Sequence, residues 1–86
     1  MRAEAQTAWD SAELIVDALD IESTYRRDYV IKTIAIMNLQ GQILSLENLR
    51  NNGIRGGYST LSLYREAFYN LQVKKLRDAV AEFENL

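Results

Sequence analysis

The sequence predicts an all-α domain, and three observations lead to that prediction. Apolar residues recur at spacings of three and four along most of the 86-residue chain, which is the period of an amphipathic helix. Apolar and polar residues do not alternate as they would in a half-buried strand. The chain contains no proline, so nothing of that kind interrupts a long helix. We therefore expect a single helical domain that spans residues 1–86.

The composition argues against several classes of function. The chain has neither cysteine nor histidine, which removes disulfides, thiolate metal sites, the commonest zinc ligand and the commonest general base. We therefore expect no metal, no cofactor, no small-molecule substrate and no enzymatic activity. No apolar run approaches the ~20 residues that span a bilayer, and residues 1–4 do not resemble the start of a signal peptide. These features predict a cytoplasmic protein without a membrane partner.

Two helices are expected in the first half of the chain. The first covers about residues 3–19, and its other face carries acids, as in a surface helix. The second covers about residues 24–40, with Gly41 at the position where a glycine commonly ends a helix. We expect Tyr29, Val30, Ile34 and Met37 to form its inward face. The apolar stripe of the first helix, in which Trp9 is expected to be a core residue, consists of Ala5, Ala8, Trp9, Ala12, Ile15, Val16 and Leu19.

Two further helices, giving four in all, are expected in the second half. A short one covers residues 46–50, and a long one runs from Ser59 or Thr60 to the C-terminus, with Leu61, Tyr64 and Phe68 pointing inward. A heptad-like seam follows on the long helix, consisting of Tyr69, Val73, Leu76, Val80 and Phe83. We expect residues 1–68 to be globular, and residues 69–86 to project and pair as the coiled coil of a homodimer. The same stripe can alternatively pack on the first helix.

The order of the central elements is that of a helix-turn-helix, in which two helices brace a third that enters the major groove of DNA. The long C-terminal helix would be the recognition helix. Its first residues are small or polar, and the preceding loop carries an arginine, as contacts with bases and phosphates require. Capping explains Ser59 and Thr60 equally well, and Tyr58 can instead fill the turn. The candidate DNA-binding residues are Arg55, Tyr58, Ser59, Thr60, Ser62 and Arg65.

The segment from Ser45 to Arg50, followed by residues 53–62 and Phe68, resembles the N-terminal DNA-binding domain of the KfrA plasmid proteins. Shared features are a short helix that ends in an arginine-glycine-small turn, a next helix that starts with a polar residue, threonine, leucine and serine, and a later aromatic residue. The proline with which the family enters the short helix is missing from residues 41–45. The resemblance implies a DNA-binding homodimer, such as a transcriptional repressor or a plasmid-maintenance factor.

The charge pattern leaves two kinds of partner open. Residues 1–22 contain one basic and six acidic residues, whereas residues 23–81 contain nine basic and four acidic residues. The basic centre favours a polyanion, so double-stranded DNA is the first expectation. The acidic first helix and the sequence pI of about 5.0 favour the alternative, a helical protein–protein interaction module such as an adaptor, an antirepressor or an assembly subunit. That module would reach its protein partner through the C-terminal helix.

Overall fold

Three α-helices make up the fold in the computed structural model, which describes residues 1–19, 24–54 and 60–86. They are α1 (Ala3–Ala18), α2 (Thr24–Ile54) and α3 (Thr60–Glu84). The all-α prediction is therefore confirmed for the described residues. The number of helices differs from the expected four, because the predicted second and third helices are one continuous helix.

Helix α2 continues through Gly41 instead of ending there. Leu39 before the glycine is buried, and Ile43 and Leu46 after it pack against the same apolar cluster. A break at Gly41 would remove one of these groups from the cluster, and this loss outweighs the ~1 kcal/mol that glycine costs inside a helix. The prediction that Gly41 ends the helix was therefore wrong. The resulting helix of 31 residues is about 46 Å long, at 1.5 Å per residue.

Replacing Gly41 by alanine is expected to stabilise the protein. No atom lies within 4 Å of the place where the Cβ atom would stand, so the methyl group meets no obstacle. The gain should be about 0.5–1 kcal/mol in the free energy of unfolding, measured by urea denaturation. The reverse change at an exposed helical position, Ala67→Gly, should cost a similar amount and is the matched control. A loss of stability in Gly41→Ala would contradict the continuous helix.

Small side chains let the three helices approach closely. On α1 the buried residues are Ala5, Ala8, Ala12 and Val16, spaced by three and four as the sequence predicted. Trp9 is half-buried against the cluster, which confirms its assignment to the core. On α2 the buried residues are Ile31, Ala35 and Leu39. The expected inward face of α2 was correct only in part, because Val30 and Ile34 are half-buried against the cluster, whereas Tyr29 and Met37 are exposed.

The seam of α3 packs inside the chain and does not project. Val73, Leu76, Val80 and Phe83 are buried, and three of them belong to the cluster formed with α1 and α2. The Phe83 ring stacks on Trp9 of α1, with 6.1 Å between the ring centroids and 23° between the planes. Tyr69 is half-buried. The expected coiled coil of residues 69–86 is therefore replaced by the alternative, in which the stripe packs on the first helix, because α1 supplies the apolar surface that a second copy would have offered.

Burial divides the elongated molecule, which measures 53 × 23 × 15 Å, into two parts. We call the first part the body; it consists of α1, residues 24–39 of α2 and residues 73–84 of α3. Every buried side chain that the structure describes lies in the body. We call the second part the arm; it consists of residues 40–54 of α2 and residues 60–72 of α3. No side chain described in the arm is buried.

Ion pairs between helices explain part of the segregated charge pattern. The Arg27 guanidinium of α2 donates to Asp17 of α1 at 2.6 Å and lies 3.8 Å from Glu13. The hydrogen bond to Asp17 is the main reason that the pKa of Arg27 lies above its usual value. At the other end of α1, the Arg2 guanidinium lies 3.2 Å from Glu82 of α3. One base of the middle segment, Arg27, therefore faces two acids of the first helix across a helix contact, although exposed pairs of this kind add little stability.

Candidate functional site

Large apolar side chains on the arm are exposed to solvent. Ile43 and Leu46 of the arm are half-buried and pack against the apolar cluster of the body. Contiguous exposed apolar surface on a small protein commonly marks an interaction site. The large apolar residues exposed on the arm are Leu44, Leu49, Leu63, Tyr64, Phe68 and Leu71.

The arm is not covered by α1 because α1 begins at the border of the arm and runs from there along the body. Ala3, Glu4 and Thr7 of the first turns of α1 share a groove with Leu39 and Gln42 of α2 and with Leu76 of α3. The residue before α1 is fixed to α3, since the backbone N–H of Arg2 donates to the Glu82 carboxylate at 3.1 Å. Beyond this level α2 and α3 continue, and no third helix accompanies them among the residues that the structure describes.

Four of the exposed residues lie one or two heptads away from residues that are next to α1 or to Arg2, the residue before it. Residues seven apart lie on nearly the same side of a helix, with a drift of about 20° for each heptad. On α2, Leu49 follows Gln42, which lies beside α1, by seven positions. On α3, Leu71 and Tyr64 precede Asp78 by seven and fourteen positions, and Asp78 lies 3.7 Å from Arg2. Phe68 likewise precedes Glu82, the other partner of Arg2, by fourteen positions.

We call Leu49, Tyr64, Phe68 and Leu71 the arm face. Their side chains are 52%, 72%, 56% and 50% exposed, respectively, so each retains half or more of its surface for a partner. The Phe68 ring also contacts the half-buried Tyr69 ring edge-on, with 5.6 Å between the centroids. This contact supports one edge of the Phe68 ring and leaves more than half of the side chain open to solvent.

Polar side chains connect the two helices of the arm. The Arg50 guanidinium of α2 donates to the Asn70 amide oxygen of α3 at 2.8 Å. At the border with the body, Arg77 of α3 donates to Glu47 of α2 at 2.7 Å. These two bonds link the helices that carry the arm face, and we call this part of the molecule a braced helix pair, although each exposed bond adds little stability by itself.

An open groove lies on α2 close to the start of α1. It has a volume of about 610 Å³ and follows α2 on the side of Gly41, whose missing side chain deepens it. Its lining shares Gln42 with the groove at the start of α1, so the two grooves are neighbours on α2. The lining contains no ionisable side chain; it consists of Met37, Asn38, Gly41, Gln42, Ser45 and Leu46.

A second groove, of about 340 Å³, lies at the opposite end of the molecule between Trp9, Tyr29 and Leu86. Lys32 and Asp28 complete its lining, and the Lys32 ammonium lies 5.9 Å from the centroid of the Tyr29 ring. Among the described residues, no group of three or more acids is placed to hold a metal ion. The described helices also include none that is both long and apolar enough to cross a membrane.

The structure brings together only part of the predicted DNA-binding set. Arg55, Tyr58 and Ser59 lie outside the described residues. Thr60 begins α3, Ser62 is half-buried and engaged in an interaction, and Arg65 is exposed. The helix before them is the long α2 and not the short helix that a helix-turn-helix requires. Over residues 40–54 and 60–72, the acids Glu47 and Glu66 balance the bases Arg50 and Arg65.

Two members of the arm face were assigned the wrong role from sequence, and two were missed. Tyr64 and Phe68 were expected to point inward, whereas both are mostly exposed. Leu49 and Leu71 were not singled out. The spacing of Tyr64, Phe68 and Leu71, at four and three residues, was a usable signal, since it marks one side of a helix.

Comparison of the chain with protein-family models, with curated proteins and with solved structures finds no match. The resemblance to the KfrA DNA-binding domain therefore stays a prediction from the residues quoted above. The function proposed below therefore rests on the geometry of the arm and not on relatedness to a known family.

Proposed function

We propose that the protein is a helical protein–protein interaction module that binds an apolar helical surface through its arm face. The observation that carries the proposal is the exposure of Leu49, Tyr64, Phe68 and Leu71 on one side of a braced helix pair. Burying a large apolar side chain contributes about 1.5–3 kcal/mol, so four of them can supply most of a specific contact. The proposal assigns no catalytic role to the chain.

A helix is the form of partner that the arm favours. In the body, a third helix packs against α2 and α3, and the arm presents the continuation of that same surface without its third helix. Helical partners commonly lay an apolar face into a groove between two helices and use residues spaced by three and four. The arm face has this spacing on α3.

DNA binding receives less support from the geometry. Affinity for DNA comes largely from basic groups that neutralise phosphates, and the described arm residues carry as many acids as bases. Arg50 is also engaged with Asn70. Some basic side chains from the centre of the chain thus bond to residues of other helices, as Arg27 does in the body. The interaction module, the alternative at the outset, becomes the better supported function.

A photoreactive amino acid placed at position 68 tests the proposal in the cells that produce the protein. We expect irradiation to link position 68 to another protein chain in a discrete product. Position 63 is the matched control, because Leu63 is equally apolar and exposed on the same helix but lies about 140° around it from Phe68. Absence of a product from position 68, or equal products from both positions, would contradict the proposal.

A further inference from the structure

We propose that the arm face is covered by the arm of a second copy of this chain, so that two arms pair antiparallel as a four-helix bundle. This inference rests on the proposed function, since it names the partner of the arm face. It also relocates self-association from residues 69–83, which are largely used inside the body, to Leu49, Tyr64, Phe68 and Leu71. Three features of the arm favour a second copy.

The first feature is charge. The described part of the arm carries two acids and two bases, and its face consists of apolar side chains. A strongly acidic or basic partner gains nothing from such a surface, whereas a neutral apolar partner meets no opposing charge. The arm is itself a neutral apolar surface. In a two-fold contact the same residues lie on both sides, so each arm offers the other an apolar surface without net charge.

The second feature is length. The uncovered part of α2 runs from Gln42, which lies beside the start of α1, to Ile54, which is about 20 Å at 1.5 Å per residue. A partner helix pair that fills this space must have the same length, and must stop where α1 begins. The arm of a second copy has this length because both copies have the same sequence. The antiparallel arrangement also places the two α1 helices, with their acids, at opposite ends of the dimer.

The third feature is the size of the contact. Two helices, each about 10 Å wide, over a length of about 20 Å give a plan area on the order of 400 Å² for each copy. The solvent-accessible area buried on each copy is larger than this projected area, because side chains make the surface uneven. We expect it to stay near or below the ~800 Å² per partner of a standard stable interface. The expected dimer is therefore reversible, with a dissociation constant on the order of micromolar.

Sedimentation equilibrium on the purified protein, from low-micromolar to millimolar concentration, tests the inference. We expect a reversible monomer–dimer equilibrium. Phe68→Glu should weaken dimerisation at least ~10-fold, because it places a charge in the centre of the apolar contact. Leu63→Glu is the control with the same chemical change off the arm face, and should leave the equilibrium unchanged. Circular dichroism should show native helix content in both variants, since both positions are exposed.

A mixing experiment tests the antiparallel arrangement. Phe68 lies near the middle of the α3 segment of the arm, so the two copies of position 68 come close together in an antiparallel pair. Phe68→Glu mixed with Phe68→Lys should form a heterodimer at concentrations at which neither variant dimerises by itself. No recovery on mixing would overturn the antiparallel pairing.

The outcomes separate this inference from the proposed function. A purified protein that stays monomeric up to millimolar concentration, or a dimer that Phe68→Glu does not weaken, overturns the second copy as partner. If position 68 still cross-links to a different protein in cells, the interaction module stands with another partner. If neither dimerisation nor cross-linking through position 68 occurs, both proposals are wrong.

Discussion

Replacing Phe83 by alanine should lower the free energy of unfolding by about 3–5 kcal/mol, the range for a large aromatic side chain removed from a core. Phe83 is fully buried, and its ring stacks on Trp9, so the substitution removes a contact between the last turns of α3 and the first half of α1. Ala79 and Val80, about one turn earlier on α3, are buried in the same cluster and hold the helix in place, so the backbone cannot move far enough to fill the whole cavity.

Phe68→Ala is the matched control for this experiment, because it removes the same side chain from the same helix at an exposed position. Its cost should stay below about 1 kcal/mol in urea denaturation at low protein concentration, where the monomer predominates. The comparison also tests the earlier coiled-coil prediction. If Phe83 projected from the domain, Phe83→Ala would cost the monomer as little as Phe68→Ala does, and equal values would contradict the structure.

Enlarging Ala35 to leucine is expected to destabilise the protein by about 1–3 kcal/mol, the usual cost of overpacking a core. Ala35 is fully buried in the middle of α2, within the cluster that contains the alanines of α1 and Ala79 of α3. Small residues at these positions set the distance between the helices. A leucine there forces the helices apart and separates other contacts of the body, among them Ile31 with its neighbours.

Ala67→Leu serves as the control for Ala35→Leu, since it makes the same change on the exposed side of α3. Alanine and leucine both favour helices, so propensity changes little in either variant. In a thermal melt, each kcal/mol corresponds to about 4–8 °C for a domain of this size. A melting temperature unchanged in Ala35→Leu, or lowered equally by Ala67→Leu, would show that the alanine contacts do not determine the helix spacing.

The sequence determined the fold most clearly where one side of a helix is unambiguous. On α1 the small apolar residues Ala5, Ala8, Ala12 and Val16 share one side, and this part of the predicted stripe is buried. Ile15 and Leu19, which were expected in the same stripe, are exposed. On α2, apolar residues occur all around the first four turns. The choice between the Tyr29–Met37 side and the Ile31–Leu39 side depends on where α1 and α3 lie, which no local pattern specifies.

The errors in the second half of the chain have a common physical cause. Gly41 is a local signal for the end of a helix, but the packing of Leu39 and Ile43 on either side of it overrides that signal. The heptad-like seam from Val73 to Phe83 shows that α3 has an apolar stripe, yet it does not specify whether α1 or a second copy covers the stripe. Local patterns predict which side of a helix is apolar, whereas tertiary structure decides its neighbour.

The candidate site was the least predictable part for the same reason. The inward assignment of Tyr64 and Phe68 assumed that they hold the long helix against the predicted second and third helices. The structure places the start of α1 beside Gln42 and Leu76, so the cover ends about halfway along the long helices. The exposure of Leu49 and Leu71 follows from that single relation between helices. The spacing of residues within α2 or α3 cannot specify where α1 begins relative to these helices.

The uneven burial along the molecule also has a consequence for its motions. Local opening costs least where few apolar groups are buried, and all the buried side chains that the structure describes belong to the body. The arm should therefore fray while the body stays folded, through partial openings that cost less than global unfolding. A partner that binds only the closed arm suppresses these openings. Recognition and local folding of the arm are then one coupled equilibrium.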